Sequence, residues 1–227
     1  MTFKLRSYQK ECLDNIYRSL KKDNKCIVVQ SPPRTGKTVI MAEIARRTTA
    51  KGNRILFIVH RKEIVDQVKR TFAEQNVKPE FCQIGMVQTF TRNIDRLAKP
   101  DVILVDEAHH ALAKTYVKVL DAFPEAVKLL FTATPVRMGR LQLDQIATDI
   151  VEGKQIQELM DTGFLAPFRY FARKKIDDDK LKKSSTGDFT VGSMTDAIES
   201  GIYQAVVNEY RKRVDGQLAV VYWFSVQ

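Results

Sequence analysis

Between Cys26 and Ala45 the sequence changes character twice. An apolar run, Cys26-Ile-Val-Val29, gives way to Gln-Ser-Pro-Pro-Arg-Thr-Gly-Lys-Thr38, and that to Val39-Ile-Met-Ala-Glu-Ile-Ala45. The first reads as a buried strand and the last as a helix, with a tight loop marked by Pro, Ser and Gly between them. A loop closing in Gly-Lys-Thr at a helix start is an anion cradle, because the first N–H groups of a helix have no acceptors within it. Lys37 would bring a point charge to the β- and γ-phosphates of a nucleotide, and the Thr38 hydroxyl an oxygen ligand to Mg²⁺. Arg34, Thr35 and Gly36 complete the candidate nucleotide contacts of this loop. The usual phosphate-loop pattern begins with Gly and places four residues between it and Gly-Lys-Thr. Ser31 holds that position here, and Arg34 stands where a further Gly is common. A Gly-Lys-Thr triplet can also fall by chance in a surface turn; the strand before it and the helix after it favour the phosphate loop.

The remaining pattern repeats the alternation of strand and helix. Leu13, Ile16, Tyr17 and Leu20 recur at helical spacing within Ser7 to Lys22, with Ser7 as N-cap. Apolar runs at Lys25–Gln30, Arg54–Val59, Gln83–Gln88, Pro100–Val105 and Ala126–Phe131 read as strands, and helices are expected over Thr38–Ala50, with Gly52 past its end, and over the Ile64, Val65, Val68 and Phe72 stretch. Such alternation predicts an α/β fold: an open, doubly wound, mostly parallel sheet with helices on both faces. The polar motifs follow the strands directly, so they gather at the carboxyl ends, where sheets of this kind bind ligands. Beyond Pro135 the signal weakens. A polar stretch to Gln155 precedes a short helix over Lys154–Thr162, an extended Phe164–Phe171, a charged and mobile Arg173–Asp188, helices over Val191–Ser200 and Ile202–Arg213, and an apolar Leu218–Ser225 strand.

The second motif is acidic. Asp106-Glu107-Ala-His109-His110 follows the strand that ends at Val105. Two adjacent carboxylates at a buried strand end suit two tasks: Asp106 to hold Mg²⁺, directly or through water, and Glu107 to polarise the water that attacks a γ-phosphate. A solvated strand end is the alternative for the pair alone, and the phosphate loop outweighs it. The His-Glu-x-x-His spacing of a zinc site is absent, which sets aside a metal centre on His109 and His110.

Composition narrows the partners. The formal charge is +10, which suits a polyanion but equally a plain basic surface. The 44% hydrophobic content is enough for a full core. No apolar run reaches the roughly 18 residues of a membrane span, and Met1 to Arg6 leads into no signal core. Cys12, Cys26 and Cys82 lack metal spacing and read as buried thiols of a reducing compartment.

In this order the motifs resemble superfamily 2 helicases and translocases, nearest the DEAH-type group of restriction-enzyme motor subunits and small phage or prophage helicases. Asp106-Glu-Ala-His109 is similar to motif II, Thr132-Ala-Thr134 to motif III, and Ser31–Thr38 to motif I. The resemblance implies a RecA-like P-loop NTPase domain that uses ATP and Mg²⁺, with Lys37, Asp106 and Glu107 catalytic and Thr38 and Asp106 at the metal. Leu5-Arg-Ser-Tyr-Gln9 resembles the adenine-reading element, which assigns the base to Gln9. His109, Thr132 and Thr134 would couple nucleotide state to the nucleic acid. Ile58–Lys62 resembles motif Ia and Val87–Phe90 the next strand-tracking motif, so Arg61, Lys62, Thr89 and Arg137 are its phosphate-backbone contacts.

Family members carry two such domains with ATP between them. The resemblance divides this chain into residues 1–167, the first motor domain, and 168–227, a linker and the incomplete start of the second. Ala219–Gln227 resembles the opening strand of motif IV, and the arginine finger of later motifs is absent from this sequence. The leading expectation is an ATP-dependent DNA helicase or translocase domain acting on single-stranded or forked DNA, completed by a further domain or a second polypeptide. It would work in the cytoplasm of a bacterium or a phage-infected host, away from membranes. The alternative is a DNA-binding module with little ATPase activity. A small-molecule phosphotransferase would leave the acidic motif and Thr-Ala-Thr unexplained.

Overall fold

Strand β1 (Cys26–Gln30) shows why the apolar runs are unbroken. Ile27 and Val29 face one hydrophobic cluster while Cys26 and Val28 face another, so every position meets a helical layer. The same split holds in β2 (Ile55–Val59), β4 (Val102–Val105) and β5 (Val127–Thr132). Phe57 and Phe131 pack on the first face, and Leu56, Ile103 and Leu130 on the second. Phe57 is fully buried, and truncating it to Ala would cost about 3–5 kcal/mol, the range for an aromatic core cavity.

The computed structural model describes residues 4–134, 143–171, 180–183, 189–190, 192–194 and 202–220. They form two compact units, Met1–Pro167 and Phe168–Gln227. The first unit holds a six-stranded sheet in the order β3-β2-β4-β5-β1-β6, with β3 at Cys82–Met86 and β6 at Asp149–Glu152. Every pairing is parallel: β1 with β5 and β6, β2 with β3 and β4, β4 with β5. Helices α1 (Ser7–Leu20), α2 (Lys37–Ala50) and α3 (Lys62–Glu74) cover the first face. Helices α4 (Val87–Arg92) and α5 (Lys114–Asp121) cover the second. The α/β, doubly wound parallel sheet expected from the sequence is the observed one.

Several local expectations change. Ser7 is the first helical residue of α1 and not its cap; Arg6 holds the cap position, and its N–H donates to Gln9 Oε1 at 2.9 Å. β3 stops at Met86, because Val87 and Phe90 turn inward at helical spacing as α4. Gly85 makes room for that turn: a Cβ there would lie 2.9 Å from the Phe90 ring. β6 and α5 had no counterpart in the sequence reading. β6 lies within the stretch read as merely polar and pairs in register with Ile27 to Gln30. Its start is tied to α1 by a Ser19 hydroxyl bond to Asp149.

The segment after β6 ends in α6 (Ile156–Asp161), after which Gly163 at φ +74° turns the chain and the N–H groups of Phe164 and Leu165 both reach Leu159 O. Phe164 to Phe171 forms no strand. In the second unit α7 (Ile202–Val214) matches the helix expected there. Leu218 and Val220 are exposed and outside any strand, while residues 221–227 of the expected apolar strand lie outside the described residues. So do most of Arg173–Asp188 and of the expected Val191–Ser200 helix, of which Gly192–Met194 is described as helical.

Candidate nucleotide site and rim of the sheet

Because all six strands run one way, their carboxyl ends form a single rim. The loop from Ser31 to Gly36 leaves β1 there, the acidic turn leaves β4, and Thr132 closes β5 between them in the sheet order. The loop is held by its own side chains. Thr35 is buried, its hydroxyl donates to Pro32 O at 2.7 Å, and the Ser31 hydroxyl lies 2.7 Å from it. Ser31 therefore uses its side chain as a brace where the usual pattern has Gly. Arg34 is exposed at φ +63°, in the left-handed region that explains why Gly is common at its position. Gly36 follows at φ +78° and caps α2. Thr38 is half-buried in the first turn of α2.

The loop is also tied to its neighbours. Ser31 N–H donates to Thr132 O at 2.9 Å. Thr132 is fully buried, and its hydroxyl accepts the Thr134 N–H at 3.2 Å, closing a tight turn at the end of β5. From α1, the Tyr8 hydroxyl and the Gln9 carboxamide both donate to Thr35 O, at 2.9 and 3.0 Å. Gln9 is buried, and its two polar ends are engaged by Arg6 and Thr35.

Lys37 meets the acidic turn: its Nζ lies 3.5 Å from Glu107 Oε1, with only 13% of its side chain exposed. Glu107 adopts φ +50°, unusual for a residue with a Cβ. This conformation turns its carboxylate between Lys37 and His109, whose Nδ1 lies 3.4 Å from Oε2. Asp106 accepts the Glu107 N–H at 3.0 Å. Burial, and then the neighbouring Glu107 charge, push the Asp106 carboxyl above the usual range, against that bond and the pull of Lys37 and His109. Sequence reasoning missed Tyr116, on α5. Its hydroxyl is buried without a hydrogen-bond partner among the described residues, and burial followed by the Asp106 charge raises it to about 12. Its spacing with Val119 and Leu120 was the available signal.

The oxygen donors Thr38 and Asp106 suit a hard cation. A partly desolvated carboxylate raised by its own surroundings is the group a divalent ion would relieve. Among the described residues no cluster of three or more acidic, His or Cys side chains could hold a metal alone, so Mg²⁺ here would draw its remaining ligands from phosphates and water.

Three of the other candidates lie elsewhere on the rim. Arg61 and Lys62 follow β2 and open α3, and Thr89 lies in α4 after β3; all three are exposed. In the strand order β2 and β3 stand three and four places from β1, roughly 14 and 19 Å at about 4.8 Å per strand. Arg137 lies outside the described residues.

Residues 2–137 match a family model described as type III restriction enzyme, res subunit. A 51.5 kDa protein of a Lactococcus phage is 37% identical over 200 residues, covering 88% of this chain and 44% of its own. The putative ATP-dependent helicase IRC3 of Saccharomyces cerevisiae is 26% identical over 98% of this chain and 37% of its own. The chain thus spans less than half the length of these relatives. Among solved structures, the UvsW helicase of bacteriophage T4 superposes with a TM-score of 0.52 at 17% identity, covering 66% of this chain and 60% of that one. The type ISP restriction-modification enzyme LlaBIII bound to DNA gives 0.52 at 16% identity over 74% of this chain and 16% of that one. At such identities these superpositions speak to the fold, which is RecA-like.

Proposed function

The chain belongs to the family of the type III restriction enzyme res subunit, as an N-terminal motor domain of superfamily 2 helicase type, and on that premise we propose that it binds ATP with Mg²⁺ and drives movement along DNA. The observation that carries this reading is the meeting of Lys37 with the acidic turn, 3.5 Å from Glu107, at the carboxyl rim of the sheet. Lys37 and the N–H groups of the loop would bind the phosphates. Thr38 and Asp106 would hold Mg²⁺, which neutralises charge on the transferring phosphoryl group. Glu107 would orient the attacking water and take its proton, and leaving Lys37 for that task is what nucleotide binding would bring about. His109, Thr132 and Thr134 would pass the change on; the Ser31–Thr132 bond is a direct link from loop to β5. Arg61, Lys62, Thr89 and Arg137 would track the phosphates of one DNA strand; the first three follow β2 and β3, away from the loop after β1 in the strand order.

We further read residues 168–227 as the linker to, and beginning of, a second motor domain. An arginine finger from such a domain raises phosphoryl-transfer rates by about 10³–10⁵, so hydrolysis by residues 1–227 alone would be slow. The test is ATP hydrolysis with and without single-stranded DNA, on this chain and on one carrying a second motor domain. The reading expects DNA to stimulate hydrolysis in the longer protein and Arg61→Ala with Lys62→Ala to abolish that stimulation. Hydrolysis indifferent to DNA in the longer protein would remove the motor and leave a nucleotide-binding domain.

A further inference from the structure

We propose that Tyr8 is a positioning residue of the phosphate loop, orienting the Thr35–Gly36 peptide so that the Gly36 N–H faces an incoming polyphosphate. The proposal rests on reading Ser31–Thr38 as a phosphate loop and goes further in naming what sets the loop's polarity. The Thr35 carbonyl accepts two side-chain donors from α1, Tyr8 Oη at 2.9 Å and Gln9 Nε2 at 3.0 Å. A carbonyl oxygen has two lone pairs, and here each has a partner. No described peptide is cis, and in a planar trans peptide the C=O and N–H point in opposite directions. Fixing the Thr35 oxygen on α1 therefore turns the Gly36 N–H away from α1. The reverse orientation would present a carbonyl oxygen to the anion, replacing an attraction with a repulsion.

The surroundings leave this peptide little freedom. Thr35 is pinned by its own hydroxyl to Pro32 O. Gly36 is at φ +78°, and a Cβ there would come within 2.5 Å of Gln9 Nε2, so the donor occupies space that only glycine leaves open. Tyr8 is itself fixed. Its ring packs edge-on against Phe164 with centroids 5.0 Å apart, and Arg6 lies 5.6 Å over that same Phe164 ring. Arg6 Nη1 also reaches the Tyr8 oxygen at 3.4 Å, which leaves the hydroxyl proton directed at Thr35 O. The residue is 8% exposed. Tyr8 thus carries a constraint from the turn after α6 into the loop, without touching the nucleotide itself.

The test compares three probes by titration calorimetry on the full chain: inorganic tripolyphosphate, ADP and adenosine. Tyr8→Phe keeps the ring against Phe164 and removes only the hydroxyl. It is expected to weaken tripolyphosphate and ADP about tenfold, the scale of one hydrogen bond in a preorganised site, while adenosine stays within about twofold. In the unmodified chain, the Gly36 amide proton resonance is expected to move as tripolyphosphate is added, a readout independent of any variant. Unchanged tripolyphosphate affinity in Tyr8→Phe, equal losses for adenosine and tripolyphosphate, or a stationary Gly36 amide would each overturn the proposal. Lys37→Ala serves as the arm for the underlying reading. If it too leaves tripolyphosphate binding intact, the phosphate loop itself is wrong; if it abolishes binding while Tyr8→Phe does nothing, only the role of Tyr8 falls.

Discussion

The loop after β1 and the acidic turn after β4 face each other across the same rim, yet they are built on opposite terms. In the loop, Ser31 and Thr35 have partners at 2.7 Å, Gln9 of α1 holds the Thr35 carbonyl at 3.0 Å, and the left-handed positions fall on exposed Arg34 and on Gly36. In the acidic turn a glutamate takes φ +50°, a half-buried aspartate sits beside a second carboxylate, and the Tyr116 hydroxyl has no hydrogen-bond partner among the described residues. The loop is braced by its own hydrogen bonds. The turn holds strain and unneutralised charge, the features that a bound cation and phosphate would relieve, and such features concentrate where chemistry is done.

Three substitutions sharpen or break that contrast. The largest effect is expected at Glu107→Gln, which should lower ATP turnover by about 10²–10⁴, the worth of a positioned general base. Turnover within a few-fold of the parent, measured by phosphate release with DNA present in a protein carrying both motor domains, would make the turn as passive as any strand end.

Asp106→Asn comes next, read through stability. A carboxyl raised in the folded state binds protons that the unfolded chain has already released. Its contribution is present at acid pH and is lost as pH rises through the raised value. The Asn variant should therefore melt higher than the parent at neutral pH, and the gap should close as pH falls below the carboxylate range. Melting curves across pH decide it; an Asn variant destabilised at neutral pH would show Asp106 to be satisfied where it stands.

Tyr116→Phe is the smallest. Removing a buried hydroxyl that lacks a partner should leave stability unchanged or raise it by up to about 1 kcal/mol. A loss of more than about 1 kcal/mol in chemical denaturation would mean that the hydroxyl holds the acidic turn in place.

The two regions also differ in how much of them could be read from residues alone. Lys37 and the carboxylates announced themselves, because strand–loop–helix and strand–acid–acid are local patterns and a parallel sheet brings its strand ends to one edge. The sheet core was equally legible, since β1, β2, β4 and β5 are buried on both faces and spell apolar runs broken only by Lys128 of β5. What stayed hidden depends on contacts distant in sequence. Tyr8 reaches Thr35 across 27 residues, and β6 shows only Val151 as a buried side chain, so its strand character lies in pairing with β1. The first two residues of α4, Val87 and Gln88, fall within the expected Gln83–Gln88 strand, and only the packing of Phe90 on Gly85 reveals the turn. The roles of Arg61, Lys62 and Thr89 rest on resemblance, for an exposed basic or hydroxyl residue carries no local signature of what it touches.

The central claim is that Lys37 and the acidic turn converge on one nucleotide, and Mg·ATP affinity measured by calorimetry tests it most directly. Lys37→Ala should weaken binding about 100-fold, through lost charge-assisted contacts to phosphate. Glu107→Gln, which frees Lys37 from its 3.5 Å partner, should bind Mg·ATP at least as tightly as the parent. Equal affinity for Mg·ATP in the parent and Lys37→Ala proteins would contradict the account.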